Sequence, residues 1–237
     1  VTAAGPSKER FPRGGERAGF VLAMDQHFGD RTQSAKQGGF MLSSGIGQIE
    51  ITSASRARRI KRRFEAVITI EDPDQAPSHR VRFHTPPIPP HLVLQFEDLD
   101  EPHDGIRTAT VDQVSAAIAF ARENQHATLL VHCHAGIARS TAISLAIITD
   151  RLGAGQEAAA LAEVVRLQQF AVPNLIVVGH ADAILGRDGA LIGTVLNWDT
   201  GREWNADRRK TNRDAILAHY AKLTPLSARS VGNERAQ

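Results

Sequence analysis

Residues 128–152 constrain the fold more than any other stretch of this chain. Thr128 to His132 (TLLVH) reads as a short buried strand, and Cys133 to Arg139 as a loop with a glycine at its centre. From Arg139 to Leu152 the pattern is that of an apolar helix, which Gly153 is placed to stop. A strand buried on both faces that runs straight into a helix needs other strands beside it and helices over it. Only a layered α/β fold supplies both.

The remaining segments fit that requirement. A helix starting at Ser53 carries Ala57, Ile60 and Phe64 on one stripe, Ala66 to Ile70 (AVITI) is a buried strand, and Glu71 to Pro77 is rich in turn residues. Pro86, Pro87, Pro89 and Pro90 form a stiff connector, after which His91 to Phe96 resumes strand character and Glu97 to Asp104 is an acidic loop. Thr110 and Gln113 have capping-box spacing ahead of Val114, Ala117, Ile118 and Ala121 on one helix face. Gln156 to Phe170 and Asn174 to Leu185 continue the helical period on either side of Pro173, and Phe40 to Ile51, with Gly45 and Gly47, offers one further strand. Strands alternating with helices predict a three-layer α/β/α domain around a central, mostly parallel sheet of four to five strands. We place it at 41–196, between a Gly-, Pro- and Arg-rich N-terminal extension (1–40) and a polar, partly helical C-terminal extension (197–237) with a helix near Asp207 to Leu223.

Composition narrows the functional classes. In 237 residues, 28 Lys and Arg against 26 Asp and Glu leave a net charge of +2, which predicts no general attraction to polyanions. The run Arg56, Arg58, Arg59, Lys61, Arg62 and Arg63 is then either an anion-docking face or a solvated helix face, the ordinary fate of such runs. It lacks interleaved aromatics for base stacking, so no nucleic-acid partner is expected. No apolar stretch approaches the ~18–20 residues of a membrane span, and the single cysteine excludes an internal disulfide or a multi-cysteine zinc module. A cytoplasmic protein with neither cofactor nor metal is the expectation.

The chemistry sits in His132-Cys133-His134-Ala135-Gly136-Ile137-Ala138-Arg139-Ser140. A loop curled at the start of a helix can turn the amides of His134, Ala135, Gly136, Ile137 and Ala138 inward, making an anion cradle reinforced by the helix dipole. Arg139 adds a planar fork suited to two phosphate oxygens. The same field favours thiolate over thiol at a helix N-terminus beside a cation, and a thiolate next to bound phosphate can attack phosphorus. His132 is placed to orient the loop by hydrogen bonding, and Ser140 to donate to the sulfur as a leaving group. A zinc site from His132, Cys133 and His134 is disfavoured, because adjacent residues rarely ligate one metal.

This segment resembles the signature of the cysteine-dependent protein tyrosine and dual-specificity phosphatases: His-Cys, five residues, Arg, then Ser or Thr, with the central glycine matching too. The resemblance covers about residues 46–190 and includes the Pro173-Asn174 step. It implies hydrolysis of phosphomonoesters through a phosphocysteine on Cys133, on a phosphorylated protein or a small phosphomonoester, with protein phosphotyrosine as the first expectation and dual specificity for phosphoserine and phosphothreonine as an extension of it. A phosphatase of small molecules or lipids, or a non-catalytic phosphate-binding module, would use the same scaffold.

The resemblance also implies an Asp acid on a separate loop, after a strand upstream of the signature. Asp98, Asp100 and Asp104 are the candidates, and Asp98 best matches the end of the strand Leu92-Val93-Leu94-Gln95-Phe96. Two departures bear on substrate. The acid loop reads Phe96-Glu97-Asp98 where the tyrosine-specific branch has Trp-Pro-Asp, and the only tyrosine is Tyr220 in the tail. Within the cradle, His134 and Ile137 stand where lipid-directed members carry lysines.

Overall fold

The structure is a computed structural model and describes residues 48–223. The expected N-terminal extension and the Phe40–Gly47 part of the first strand lie outside the described residues, as does the end of the C-terminal extension. Four parallel strands, β1 (Ile49–Ser53), β2 (Ala66–Glu71), β3 (His91–Gln95) and β4 (Leu129–Cys133), form one sheet in the order β1-β4-β2-β3. Seven helices accompany them: α1 (Ala54–Ile60), α2 (Val111–Glu123), α3 (Arg139–Leu152), α4 (Glu157–Leu167), α5 (Leu175–Ile184), α6 (Ala190–Asp199) and α7 (Glu203–Leu223).

Strand alternation sorts the two faces. Val67 and Leu130 point to the α1 side, where Ala57, Ile60, Phe64 and Phe83 cover them. Ile68, Ile70, Leu129 and Val131 belong to the main core with α2, α3, α4 and α5. Helix α3 is the centre of that layer: every residue from Arg139 to Thr149 is buried. Each fully buried aliphatic side chain there stabilises the fold by roughly 1.5–3 kcal/mol. The Thr110–Gln113 capping box is formed, and Gly153 ends α3 at φ +86°, a conformation only glycine adopts without strain.

Two segments behave differently from a simple reading of their composition. The basic run from Arg56 to Arg63, which begins on α1 and ends in the turn after it, is neither an open anion site nor wholly solvated. Arg56 pairs with Glu50 at 3.2 Å, while Arg58, Lys61 and Arg62 donate to the carbonyls of His79, Arg82 and Thr85. These cations fasten the long β2–β3 connection over the sheet, and Lys61 also lies 4.8 Å from the Phe83 ring centroid. The polar C-terminal segment continues the fold as far as residue 223. Helix α6 runs through Asp199, and α7 packs Ile216 against Leu99 and Ile106. Among the described residues no helix is long and apolar enough to cross a membrane.

Candidate active site

Because all four strands are parallel, their C-terminal ends meet on one rim, and the segments that leave them share it. Ser53 ends β1, Asp72 follows β2, Asp98 stands three residues after β3, and Cys133 closes β4. The site is therefore assembled from four separate stretches of chain.

The 133–139 loop is held open by bonds on its outer side. The carbonyl of His134 accepts from Ala54 N (3.1 Å), that of Gly136 from Gln168 Nε2 (3.0 Å) and that of Ile137 from Val172 N (3.0 Å). The Ala138 carbonyl accepts from Ala142 N (3.0 Å) and Asn174 N (3.4 Å). A trans peptide sets the next N–H antiparallel to the carbonyl. Tying these four carbonyls outward thus turns the amides of Ala135, Ile137, Ala138 and Arg139 toward the interior. Ala138, the N-cap of α3, makes no side-chain cap, so the helix dipole opens into the same hollow.

Gly136 is indispensable to this curve. Its φ is +75°, and a Cβ there would lie 2.5 Å from the Thr52 carbonyl carbon and 2.6 Å from Ser53 N. Those atoms are backbone and cannot step aside.

Cys133 lies at the floor, 2% exposed. Its Sγ accepts from Gly136 N at 3.2 Å and lies 3.3 Å from Ser140 Oγ. Arg139 is 4% exposed and uses Nη1 twice, donating to the Phe96 carbonyl (2.8 Å) and pairing with Asp72 Oδ1 (2.7 Å). Its Nε is buried without a hydrogen-bond partner, a costly state for a charged donor unless an acceptor arrives. Burial works against the Arg139 charge, but the negative groups around it, led by Asp72 and Asp98, hold its pKa above the ordinary range.

The three acid candidates part company. Asp98 Oδ1 accepts from Asn174 Nδ2 (3.0 Å), and burial raises its carboxyl above the usual carboxylate range, against the pull of Arg139. Asp100 Oδ1 is taken by Leu175 N (2.8 Å) and Arg209 Nη1 (2.7 Å). Asp104 is exposed in a turn and borders a different hollow, with His103, Ile106, Leu217 and Tyr220. Asp98 and Asp100 border a small hollow with Ala138, Val172, Arg208 and Asn212.

His132 points away from Cys133, as its neighbour on a strand must. On the α1 side its Nε2 lies 2.8 Å from Thr69 Oγ1, which is also 2.7 Å from His91 Nε2. Burial lowers both histidines to about 4. His134 is exposed, and it serves the loop through its backbone carbonyl. Sequence reasoning missed Asp72, Gln168, Asn174 as a bridge, and the whole contribution of α7. Asn174 alone left a trace, in the Pro173-Asn174 step. It caps α5, accepting from Val177 N at 3.1 Å, and donates to Asp98 and to the Leu99 carbonyl (2.8 Å).

Comparison with solved structures finds similar chains. The chain is similar to the crystal structure of Tk-PTP in the active form, at 19% identity over 62% of this chain and 99% of that one, with a TM-score of 0.43. PTPMT1 is similar at 18% identity over 60% and 94% of the two chains, TM-score 0.44. Human DUSP28 is similar at 18% identity over 60% and 94%, TM-score 0.42. No family model and no curated protein matches the chain.

Proposed function

We propose that this chain is a cysteine-dependent phosphatase that hydrolyses phosphomonoesters, with phosphotyrosine on proteins as its principal substrate and phosphoserine or phosphothreonine as further ones. The observation that carries the reading is the Cys133–Arg139 hollow. Its peptide carbonyls are tied outward, its sulfur accepts from the Gly136 amide and lies beside the Ser140 hydroxyl, and a buried guanidinium nitrogen has no acceptor.

In this reading the phosphoryl oxygens take the inward amides of the loop and the free edge of Arg139. The Cys133 thiolate attacks phosphorus while the P–O bond to the leaving group breaks, and the Asp98 carboxyl gives its proton to the departing oxygen. Asp98, now a carboxylate, takes a proton from water as that water attacks the phosphocysteine. The S–P bond breaks, inorganic phosphate leaves, and the thiolate returns to the Gly136 amide and the Ser140 hydroxyl. Asp98 suits the acid role because burial favours its protonated form, whereas Asp100 is engaged by a backbone amide and an arginine.

The test is hydrolysis of an aryl phosphate by purified protein without added metal, with vanadate as inhibitor. Turnover is expected to vanish in Cys133→Ser, and activity surviving that change would defeat the mechanism. A panel of phosphotyrosine, phosphothreonine and phosphoinositide substrates then decides the substrate class; preference for the lipids would overturn the protein-directed reading.

A further inference from the structure

Helix α7 has no assigned part in the reaction, yet it is bonded to the acid loop along several turns. Asn212 Nδ2 donates to the Asp98 carbonyl at 2.5 Å, Tyr220 Oη to Glu97 Oε1 at 3.2 Å, and Ile216 packs on Leu99. Arg209 makes the largest set of bonds. Nη1 meets Asp100 Oδ1 at 2.7 Å, and Nη2 meets the Pro173 carbonyl at 3.0 Å and Asp199 Oδ2 at 2.7 Å. One planar fork thus joins the acid loop, the turn that enters α5, and the end of α6.

The turn at Pro173 is the one that also grips the phosphate loop. Asn174 N donates to the Ala138 carbonyl while Asn174 Nδ2 holds Asp98. Fixing the Pro173 carbonyl and Asp100 to the same guanidinium therefore fixes the distance between Asp98 and the 133–139 loop. A proton donor works only when it stays within hydrogen-bond reach of the leaving oxygen.

We propose that Arg209 is a positioning residue for proton transfer: acting through Asp100 and Pro173, it holds Asp98 over the phosphate cradle, so that α7 completes the acid side of the site. This inference rests on the phosphatase reading above. It predicts a defect confined to substrates whose leaving group needs a proton. An alkyl or phenyl ester needs one; a dinitrophenyl ester leaves readily without it.

The experiment compares kcat for phenyl phosphate and dinitrophenyl phosphate in the full chain, in Arg209→Met and in Arg209→Lys. Loss of the acid's contribution is expected to lower phenyl phosphate turnover about 10²-fold in Arg209→Met. The dinitrophenyl ester should change by no more than about 3-fold, since it draws nothing from general acid catalysis. The alkaline limb of the phenyl phosphate pH profile should flatten, and Arg209→Lys should restore part of the loss. An equal loss on both esters would show a merely structural role and overturn the inference. If Arg209→Met does not fold, Asn212→Ala removes only the bond to the Asp98 carbonyl, and it must show the same selective loss for the proposal to stand. A wild-type protein inactive on both esters overturns the phosphatase reading and this inference together, whereas an active wild type with uniform losses overturns the inference alone.

Discussion

Asp72 Oδ1 lies 2.7 Å from Arg139 Nη1, so the arginine of the 133–139 loop carries its own counter-ion from a different strand end. With the Phe96 carbonyl on the same nitrogen, the pair anchors one end of the fork, while the buried Nε keeps no hydrogen-bond partner. Asp72→Ala should remove that orientation. We expect vanadate affinity to fall about tenfold and stability by roughly 1–3 kcal/mol, below the full cost of breaking a buried pair because Asp72 is partly exposed. Asp72→Asn, which keeps an acceptor, should retain most of the affinity. Vanadate titration and urea melts of both variants check this, and equal affinities for Ala and Asn would sink the orientation argument.

Gly136→Ala should be the most damaging single-methyl change in the loop. The added carbon meets the Thr52–Ser53 backbone at 2.5–2.6 Å in a left-handed conformation. Overpacking and backbone strain together predict a loss of about 2–4 kcal/mol and a cradle that no longer takes phosphate. Thermal melts with and without phosphate read both effects; a wild-type phosphate-induced shift in the variant would contradict the packing account.

For Asp98 the linkage has a definite sign. Burial raises its carboxyl, so its contribution to stability is fully present at pH below the unfolded-state value and is lost as pH rises through the higher folded value. Asp98→Asn should therefore be slightly more stable than wild type at neutral pH, yet lose about 10²–10⁴-fold in kcat on substrates with poor leaving groups. Its rate profile should lack the alkaline limb. Asp100→Asn should instead lose stability, because Leu175 N and Arg209 share its Oδ1. If the two variants exchange these behaviours, the acid is Asp100.

The Thr69–His91–His132 group predicts an acid-side instability. Both rings titrate at about 4 in the folded chain, against an ordinary 6.5. Their stabilisation is complete above 6.5 and is lost as pH falls toward 4, because the unfolded chain takes up protons that the native one refuses. Buried His132 should contribute on the order of 2–3 kcal/mol to that fall, and half-exposed His91 less. Urea midpoints between pH 7 and 4.5 measure it, and His132→Gln should flatten the slope.

The elements legible from sequence are those whose signal is local. The strand from Leu129, the loop, and the helix to Leu152 are one continuous stretch, so the spacing of Cys133, Gly136 and Arg139 carried their geometry. The Thr110–Gln113 cap and the Gly153 stop are likewise short-range. The basic run 56–63 was not legible in the same way. Its residues are close in sequence, but their partners at 79, 82 and 85 lie about twenty positions away, and periodicity records which face a residue occupies without recording what covers it.

What the sequence determined by itself is a local unit: a thiol, a glycine curve and a guanidinium at a strand-to-helix junction, together with three aspartates after β3. What only the tertiary structure decided is which groups surround that unit. Asp72 reaches Arg139 because β2 lies beside β4 in a parallel sheet, and Arg209 reaches Asp100 across 109 positions because α7 folds back on the loop that follows β3. The physical reason is one of range. Backbone propensity and side-chain period act over a few residues. The choice of counter-ion and the fixing of the loop after β3 depend on which distant surfaces bury each other, and that is settled only by packing.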